Sequence, residues 1–271
     1  MTPNRGLTLL ARSGYAARGV VYLIIGSFAA LAAMGSGQPV DSHQSLEKVL
    51  AQPSGTLLLW IVVVGLAAFA AWRAVQAIRD SDHHGTDIKG LTVRIGLLAS
   101  GVTYVLLSLF AVGLLISGFQ GPGGGGSGGG GGQTQDFLAK MLAWDHSNLV
   151  IRAIALIPLG VGIAHLIKGW KASFEKYFQA NANVMKIVRP VSQFGLIARG
   201  IAFIEIAFIL GISGSRYQAT NPPGIKDALN GLQNLPFGQF VLLVVALGLI
   251  AFAVYSFAEA IWRRINMNVP V

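Results

Sequence analysis

Six runs of about 18 to 25 mostly apolar residues recur along the chain, each long enough as a helix to cross roughly 30 Å of hydrocarbon. They occupy residues 15–34, 55–78, 95–118, 149–167, 195–213 and 238–262. Buried helices of a water-soluble core imitate one or two such runs, but six in 271 residues leave no amphipathic helix to cover them. Charge agrees. Asp, Glu, Lys and Arg make up 11% of the chain, against about a quarter in a soluble domain, and mean hydropathy is +0.61. The expected fold class is an all-α polytopic membrane protein with six transmembrane helices.

The net charge of +9 raises the question of nucleic acid, and the position of the charges answers it. Fifteen of the twenty Lys and Arg fall on one side of the alternating connections. Lys48, Lys140, Arg152, Arg216 and Lys226 fall on the other. The positive-inside rule then places both termini in the cytoplasm, and the basic residues read as topogenic and lipid-attracted, with no nucleic-acid partner. The first run has a basic flank and a small-residue end, as a signal peptide does, but it is expected to be retained because the same sequence type recurs twice inside the chain. The absence of cysteine excludes disulfides, thiolate nucleophiles and Cys-type zinc sites.

The recurrence is an internal repeat. Residues 12–22 align without gaps on 94–104 and 193–203, superposing Gly14, Gly96 and Gly195, then Gly19, Gly101 and Gly200, then Tyr22, Tyr104 and Phe203. A second block aligns Leu46, Val49, Pro53 and Gly55 on Leu229, Leu232, Pro236 and Gly238, and Gly65 on Gly248. The middle copy diverges, reading Pro158 where the others have Gly65 and Gly248. The repeats cover 12–79, 94–170 and 193–264 of a single membrane domain. On these residues the chain resembles a bacterial integral-membrane family of unknown function, built from three tandem copies of a two-transmembrane-helix unit. The resemblance runs from Arg12 to Arg264 and implies topology, a bacterial cytoplasmic membrane and no particular activity.

Each copy begins and ends on the same side, so the expectation is three parallel helical hairpins with pseudo-threefold symmetry about the membrane normal. Gly14, Gly19, Gly96, Gly101, Gly195 and Gly200 then read as helix-packing positions, where a missing side chain lets backbones approach. Short amphipathic stretches at 45–52, 135–144 and 225–234 read as lids on the outer surface. Residues 121–132 are nearly pure glycine; with no strand before and no Lys-Ser or Lys-Thr after, they read as a flexible external loop and not a phosphate cradle.

Chemistry-bearing residues are few. Asp80, Asp82, His83, His84 and Asp87 crowd one cytoplasmic loop, where a solvated loop is a better reading than a metal site. No catalytic motif and no cofactor site is expected. Glu205 stands near mid-membrane, where the other copies have Ile24 and Leu106. A charged carboxylate there costs on the order of 3 kcal/mol, so it is expected to face the bundle interior, neutral or paired with Arg18, His165, Tyr22, Tyr104 or Tyr255. Trp72, His165 and Tyr255 are repeat-equivalent, with Trp72 and Tyr255 read as interfacial anchors. Two function classes follow. One is a small channel or proton-coupled transporter using Glu205 and His165, with Arg18 and Arg199 at a cytoplasmic mouth. The other is a non-catalytic scaffold or accessory subunit binding lipid, another membrane protein or a second copy of itself.

Overall fold

Each apolar run is helical over its described residues, because in hydrocarbon a backbone N–H or C=O has no partner but another backbone group. The computed structural model describes residues 5–36, 39–40, 42–82, 84–117, 147–213 and 237–265. Among them are seven helices: α1 (Arg5–Ala33), α2 (Ser42–Leu50), α3 (Gly55–Arg79), α4 (Ile88–Ser117), α5 (Ser147–Trp170), α6 (Ala182–Ser213) and α7 (Gly238–Trp262). A 3₁₀ turn at Glu175–Tyr177 precedes α6. Five helices, α1, α3, α4, α6 and α7, are long and apolar enough to cross a membrane, and α5 adds a shorter apolar stretch, Ala155–Trp170. Helices α1, α4 and α6 begin well before the runs expected at residues 15, 95 and 195. Hydropathy marks the hydrocarbon-embedded part of a helix, whereas hydrogen bonding continues through the polar flank.

Neighbouring helices are antiparallel. Gly14 lies on Phe69 and Gly65 on Ala17, while Gly195 lies on Phe252 and Gly248 on Ala198, so the first and third repeats close their own hairpins through equivalent residues. The order in space is α4, α3, α1, α7, α6, α5. This is the cyclic order of three repeats, with one joint open. Helices α4 and α5, the two halves of the middle repeat, do not pack on each other among the described residues. Gly96, equivalent to Gly14 and Gly195, meets nothing within 4 Å. Packing at Gly96 is therefore a correction to the sequence reading.

The open joint has a geometric cause. If rotation alone related the repeats, Gly101, five residues beyond Gly96, would be level with about residue 64 of α3, given that Gly14 is level with Phe69. Gly101 instead lies against Ala70 and Arg73, so α4 sits about seven residues, or about 10 Å, further toward the basic end than α1 does. An offset in the same sense, of about ten residues or about 15 Å, appears across α7, where Gly195 meets Phe252 but Gly19, the equivalent of Gly200, meets Phe257 and Gly26 meets Ile250. The repeats therefore climb as a staircase, and pure threefold rotation does not hold. The first and last steps fail to meet.

Helix α2 fits the lid reading. Its Ser45 and Leu46 are fully buried and Val49 nearly so, against α1, α3 and α4. The lids expected at 135–144 and 225–234, and the glycine-rich stretch at 121–132, lie outside the described residues.

Candidate functional site

At the basic end the first residue of a repeat caps the helix before it. Arg94 donates from Nε to the carbonyl of Ala77 (2.6 Å) and from Nη2 to that of Ile78 (3.1 Å), so the end of α3 is satisfied. Its repeat equivalent Gln193 does the same for α5, donating to the carbonyls of Gly169 (2.9 Å) and Trp170 (3.3 Å). These caps fix the basic ends of α3 and α5, whose last turns carry the charged and polar side chains Arg73, Gln76 and Lys168.

A buried ion network fills the interior there. Arg18 donates from Nη2 to Glu259 Oε2 (2.5 Å) and from Nε to Ser256 Oγ (3.0 Å). Glu259 Oε1 accepts from Arg263, and Arg263 Nη2 reaches Asp82 Oδ2 at 3.0 Å. Asp82 also accepts from Gln76 Nε2 (2.8 Å), and Gln76 Oε1 accepts from Arg73 Nη1 (3.0 Å). The side chains of Arg18 and Glu259 are 4% and 2% exposed. A charge pair at that depth requires its partners, because each ion alone would face an uncompensated desolvation cost of several kcal/mol.

Aromatic rings are interleaved with the cations, and Arg18 is the hub. Phe69 is shared by Arg18 and Arg73, at 5.1 and 4.6 Å from the ring centre, and Phe252 by Arg18 and Arg199, at 5.0 and 4.4 Å. Tyr255 is shared by Arg18 and Lys168, at 5.9 and 5.3 Å, and Tyr15 by Arg18 and Arg263, at 5.2 and 5.4 Å. Ring faces carry partial negative charge, so each ring lowers the repulsion between two cations held close together. The balance stays positive. Arg18, Arg73, Lys168, Arg199 and Arg263 face only Glu259 and Asp82, and Arg73, Lys168 and Arg199 form no ion pair among the described residues. Nε of Arg73, of Arg199 and of Arg263 is buried without a hydrogen-bond partner.

The residues singled out in the sequence divide. Arg18, Arg199, His165, Tyr22 and Tyr255 meet around Phe252. Tyr104 packs edge-on against Phe69, at 4.6 Å between ring centres. His165 places Nδ1 2.8 Å from the carbonyl of Val161 and Nε2 3.3 Å from Arg199 Nη1. A carbonyl on one side and a guanidinium on the other suit a neutral ring that donates from Nδ1 and accepts at Nε2. The Tyr255 hydroxyl accepts from Lys168 Nζ at 2.9 Å. Trp72 donates to the Tyr15 hydroxyl at 3.0 Å, and both Trp72 and Tyr255 are 1% exposed, so they are core residues and not interfacial anchors. Gly19 is pressed on Phe257 and Gly200 on Gly162, as expected of packing positions.

Glu205 is a correction. It is half-buried on a flank of α6, between the exposed Ile201 and Phe208 on one side and the buried Ala202 and Ile206 on the other, so it does not point into the ion network. Its Oε2 has no hydrogen-bond partner, it forms no ion pair among the described residues, and His165 pairs with Arg199 instead. Position in the sequence gave its depth, but orientation depends on which neighbours α6 packs against. The basic loop also differs from a solvated reading. Asp80 accepts the backbone N–H groups of His84 and Gly85, both at 2.7 Å, Asp87 accepts that of Gly90 at 3.0 Å, and Asp82 joins the ion network; His83 lies outside the described residues. Partial desolvation opposes ionisation of Asp80, but the two N–H groups outweigh it and hold the carboxyl below its usual range. The pairing of Asp82 with Arg263 left no local signal, being 181 residues apart; the i,i+4 pair of Glu259 and Arg263 was visible as spacing.

Three matches to one family model, a domain of unknown function (DUF1206), cover residues 13–80, 95–172 and 194–263. The chain belongs to the DUF1206 family. It is a membrane protein with three DUF1206 repeats, and the family description assigns them no activity. The uncharacterized protein YxxB of Bacillus subtilis (strain 168) is 29% identical over 258 residues, covering 94% of this chain and 90% of that protein. No solved structure matches the chain.

Proposed function

We propose that this DUF1206 protein is a small channel or transporter for an anion, which it holds among Arg73, Lys168 and Arg199 without catalysing covalent chemistry. One observation carries the reading: three half-buried cations, each set against aromatic rings, form no ion pair among the described residues. A positive excess in a low-dielectric interior attracts an anion, and the interleaved rings keep the guanidinium planes apart and fixed. The membrane in this reading is the bacterial cytoplasmic membrane, with both termini and the cationic end in the cytoplasm, as the distribution of Lys and Arg supports. Glu205 has no part in it, and a proton-coupled mechanism through Glu205 and His165 loses its support. The scaffold reading is favoured by the open joint alone.

The test is transbilayer movement in liposomes of neutral lipid. Anionic reporters, one water-soluble and one lipid-linked, are followed beside cationic counterparts for the wild type, for Lys168→Gln with Arg199→Gln, and for Glu205→Gln. The expected result is movement of at least one anionic reporter, lost in the Lys168 and Arg199 variant and kept in the Glu205 variant. Equal movement of cations, or no movement of either anion, overturns the reading.

A further inference from the structure

Among the described residues outside the helices, one large side chain is fully buried: Phe174, in the connection 171–181 between α5 and α6. A connection normally runs over the surface, where water satisfies its backbone, but this one turns a side inward. Ala172 and Phe174 are buried while Lys171, Ser173 and Lys176 stay exposed, so the connection sits in the basic end like a stopper. The Phe174 ring lies edge-on to those of Phe178 and Tyr255, with centres 5.9 and 5.5 Å away. Tyr255 is the ring that Arg18 and Lys168 share, so the stopper rests directly on the charged interior.

What ties the connection down is slight beside a helix interface. The N–H of Gln179 donates to the Trp262 carbonyl and that of Arg264 to the Tyr177 carbonyl, both at 2.7 Å, a single antiparallel bridge between Phe178 and Arg263. One ion pair joins Glu175 to Arg189 at 2.8 Å, with side chains 36% and 57% exposed, so water and salt weaken it. Where the chain leaves α5, Ala172 has φ +48°, the left-handed region that favours glycine, so that turn is strained. A segment held in this way opens more readily than the helices around it. Arg263 couples it to the network. The two backbone bonds flank Arg263, and its guanidinium lies 4.8 Å from the Tyr177 ring centre while holding Glu259 and Asp82. Going beyond the anion reading, we infer that residues 171–181 are a gate on the basic end. Seated, Phe174 seals the ion network from water; lifted off α7, the connection loosens Arg263 and opens the network.

The chain has no cysteine, so a single introduced thiol reports on access. Ser256, whose Oγ accepts from Arg18 in the network, and Ser45, on α2 at the opposite end, are both 0% exposed. Ser256→Cys and Ser45→Cys are compared in the purified full chain in neutral detergent, by their rates of reaction with a small anionic methanethiosulfonate. Phe174→Ala should speed labelling of Ser256→Cys by about tenfold or more and leave Ser45→Cys unchanged. Arg189→Gln, which removes only the exposed ion pair and so spares the fold, should speed it by a smaller factor. Phe174→Leu, which keeps an apolar stopper, should leave it slow. An unchanged Ser256→Cys rate in both Phe174→Ala and Arg189→Gln, or in Arg189→Gln alone if the alanine variant does not fold, overturns the gate. Equal acceleration at both thiols overturns it too, since Phe174 would then be ordinary core. Labelling needs no transport: if Ser256→Cys responds as expected while no anion moves in the liposome assay, the anion reading falls and the gate stands.

Discussion

Glu259 holds two guanidinium groups while Arg18 and Arg263 each hold one of its oxygens, so removing the acid and removing a base are unequal operations. Glu259→Gln leaves two buried cations uncompensated and should cost about 3–5 kcal/mol, whereas Arg18→Gln leaves Glu259 paired with Arg263 and should cost less. Denaturant unfolding of the two variants in one detergent gives that order directly; equal losses would contradict it. Glu205 should behave oppositely. Half-buried and with its Oε2 unpartnered among the described residues it is a cost, so Glu205→Leu, which copies Leu106 of the middle repeat, should raise stability by up to about 3 kcal/mol. A loss of stability in the same assay would show that the carboxyl has a partner after all. Asp80 supplies a pH signature outside the membrane. Its folded-state carboxyl titrates below an unfolded one, so its contribution is complete above about pH 4 and fades as pH falls through the lowered value. The amide proton shifts of His84 and Gly85 should titrate together with a midpoint below that of a free Asp, and lose that titration in Asp80→Asn.

Helix pairs in hydrocarbon gain nothing from hiding apolar surface, since lipid is as apolar as leucine, and they depend on close backbone packing. That makes equivalent glycines unequal. A methyl group at Gly14 would come within 2.5 Å of the Phe69 backbone, which cannot retreat without moving α3, so Gly14→Ala should destabilise by about 1–3 kcal/mol. At Gly96 the same change meets open space and replaces the poorest ordinary helix former by the best, so Gly96→Ala should be neutral or stabilising by up to about 1 kcal/mol. Unfolding temperatures of the two variants check this, and matching losses would mean that the middle hairpin is closed as the others are.

Among the described residues the long helices form a run of antiparallel neighbours, and the basic ends of α1, α3 and α7 share one ion network. The network joins what the staircase staggers: α1 to α7 through Arg18 and Glu259, and α7 to the loop after α3 through Arg263 and Asp82. Residues from the first and third repeats are thus tied to each other by ion pairs, while among the described residues the middle repeat is held by packing of α4 on α3 and α2 and of α5 on α6, and by the Lys168 to Tyr255 hydrogen bond. Orientation is a property of this scale, because it sums charges over all connections. Reporter fusions at residue 271 and within residues 121–132 should give opposite readouts, with the C-terminus cytoplasmic. The same readout at both positions would refute six crossings.

The all-helical class, the repeat and the basic end were legible in the amino-acid sequence, since hydrocarbon forces an apolar run into a helix and each glycine of the repeat recurs at a fixed spacing; of the six crossings expected, five helices are long and apolar enough and the apolar stretch of α5 is shorter. Gly14 and Gly195 have the tight seats that spacing suggests, while Gly96, at the same spacing, does not. What depended on tertiary structure was everything set by relative height and rotation of helices. Glu205 has a legible depth, yet whether it faces inward is decided by where α7 packs on α6. Asp82 and Arg263 are 181 residues apart, and no local pattern joins them. The offset of about seven to ten residues between successive repeats leaves each copy's own sequence unchanged, because a repeat encodes its hairpin and not its height against the next. That offset is the physical reason α4 and α5 do not pack on each other among the described residues.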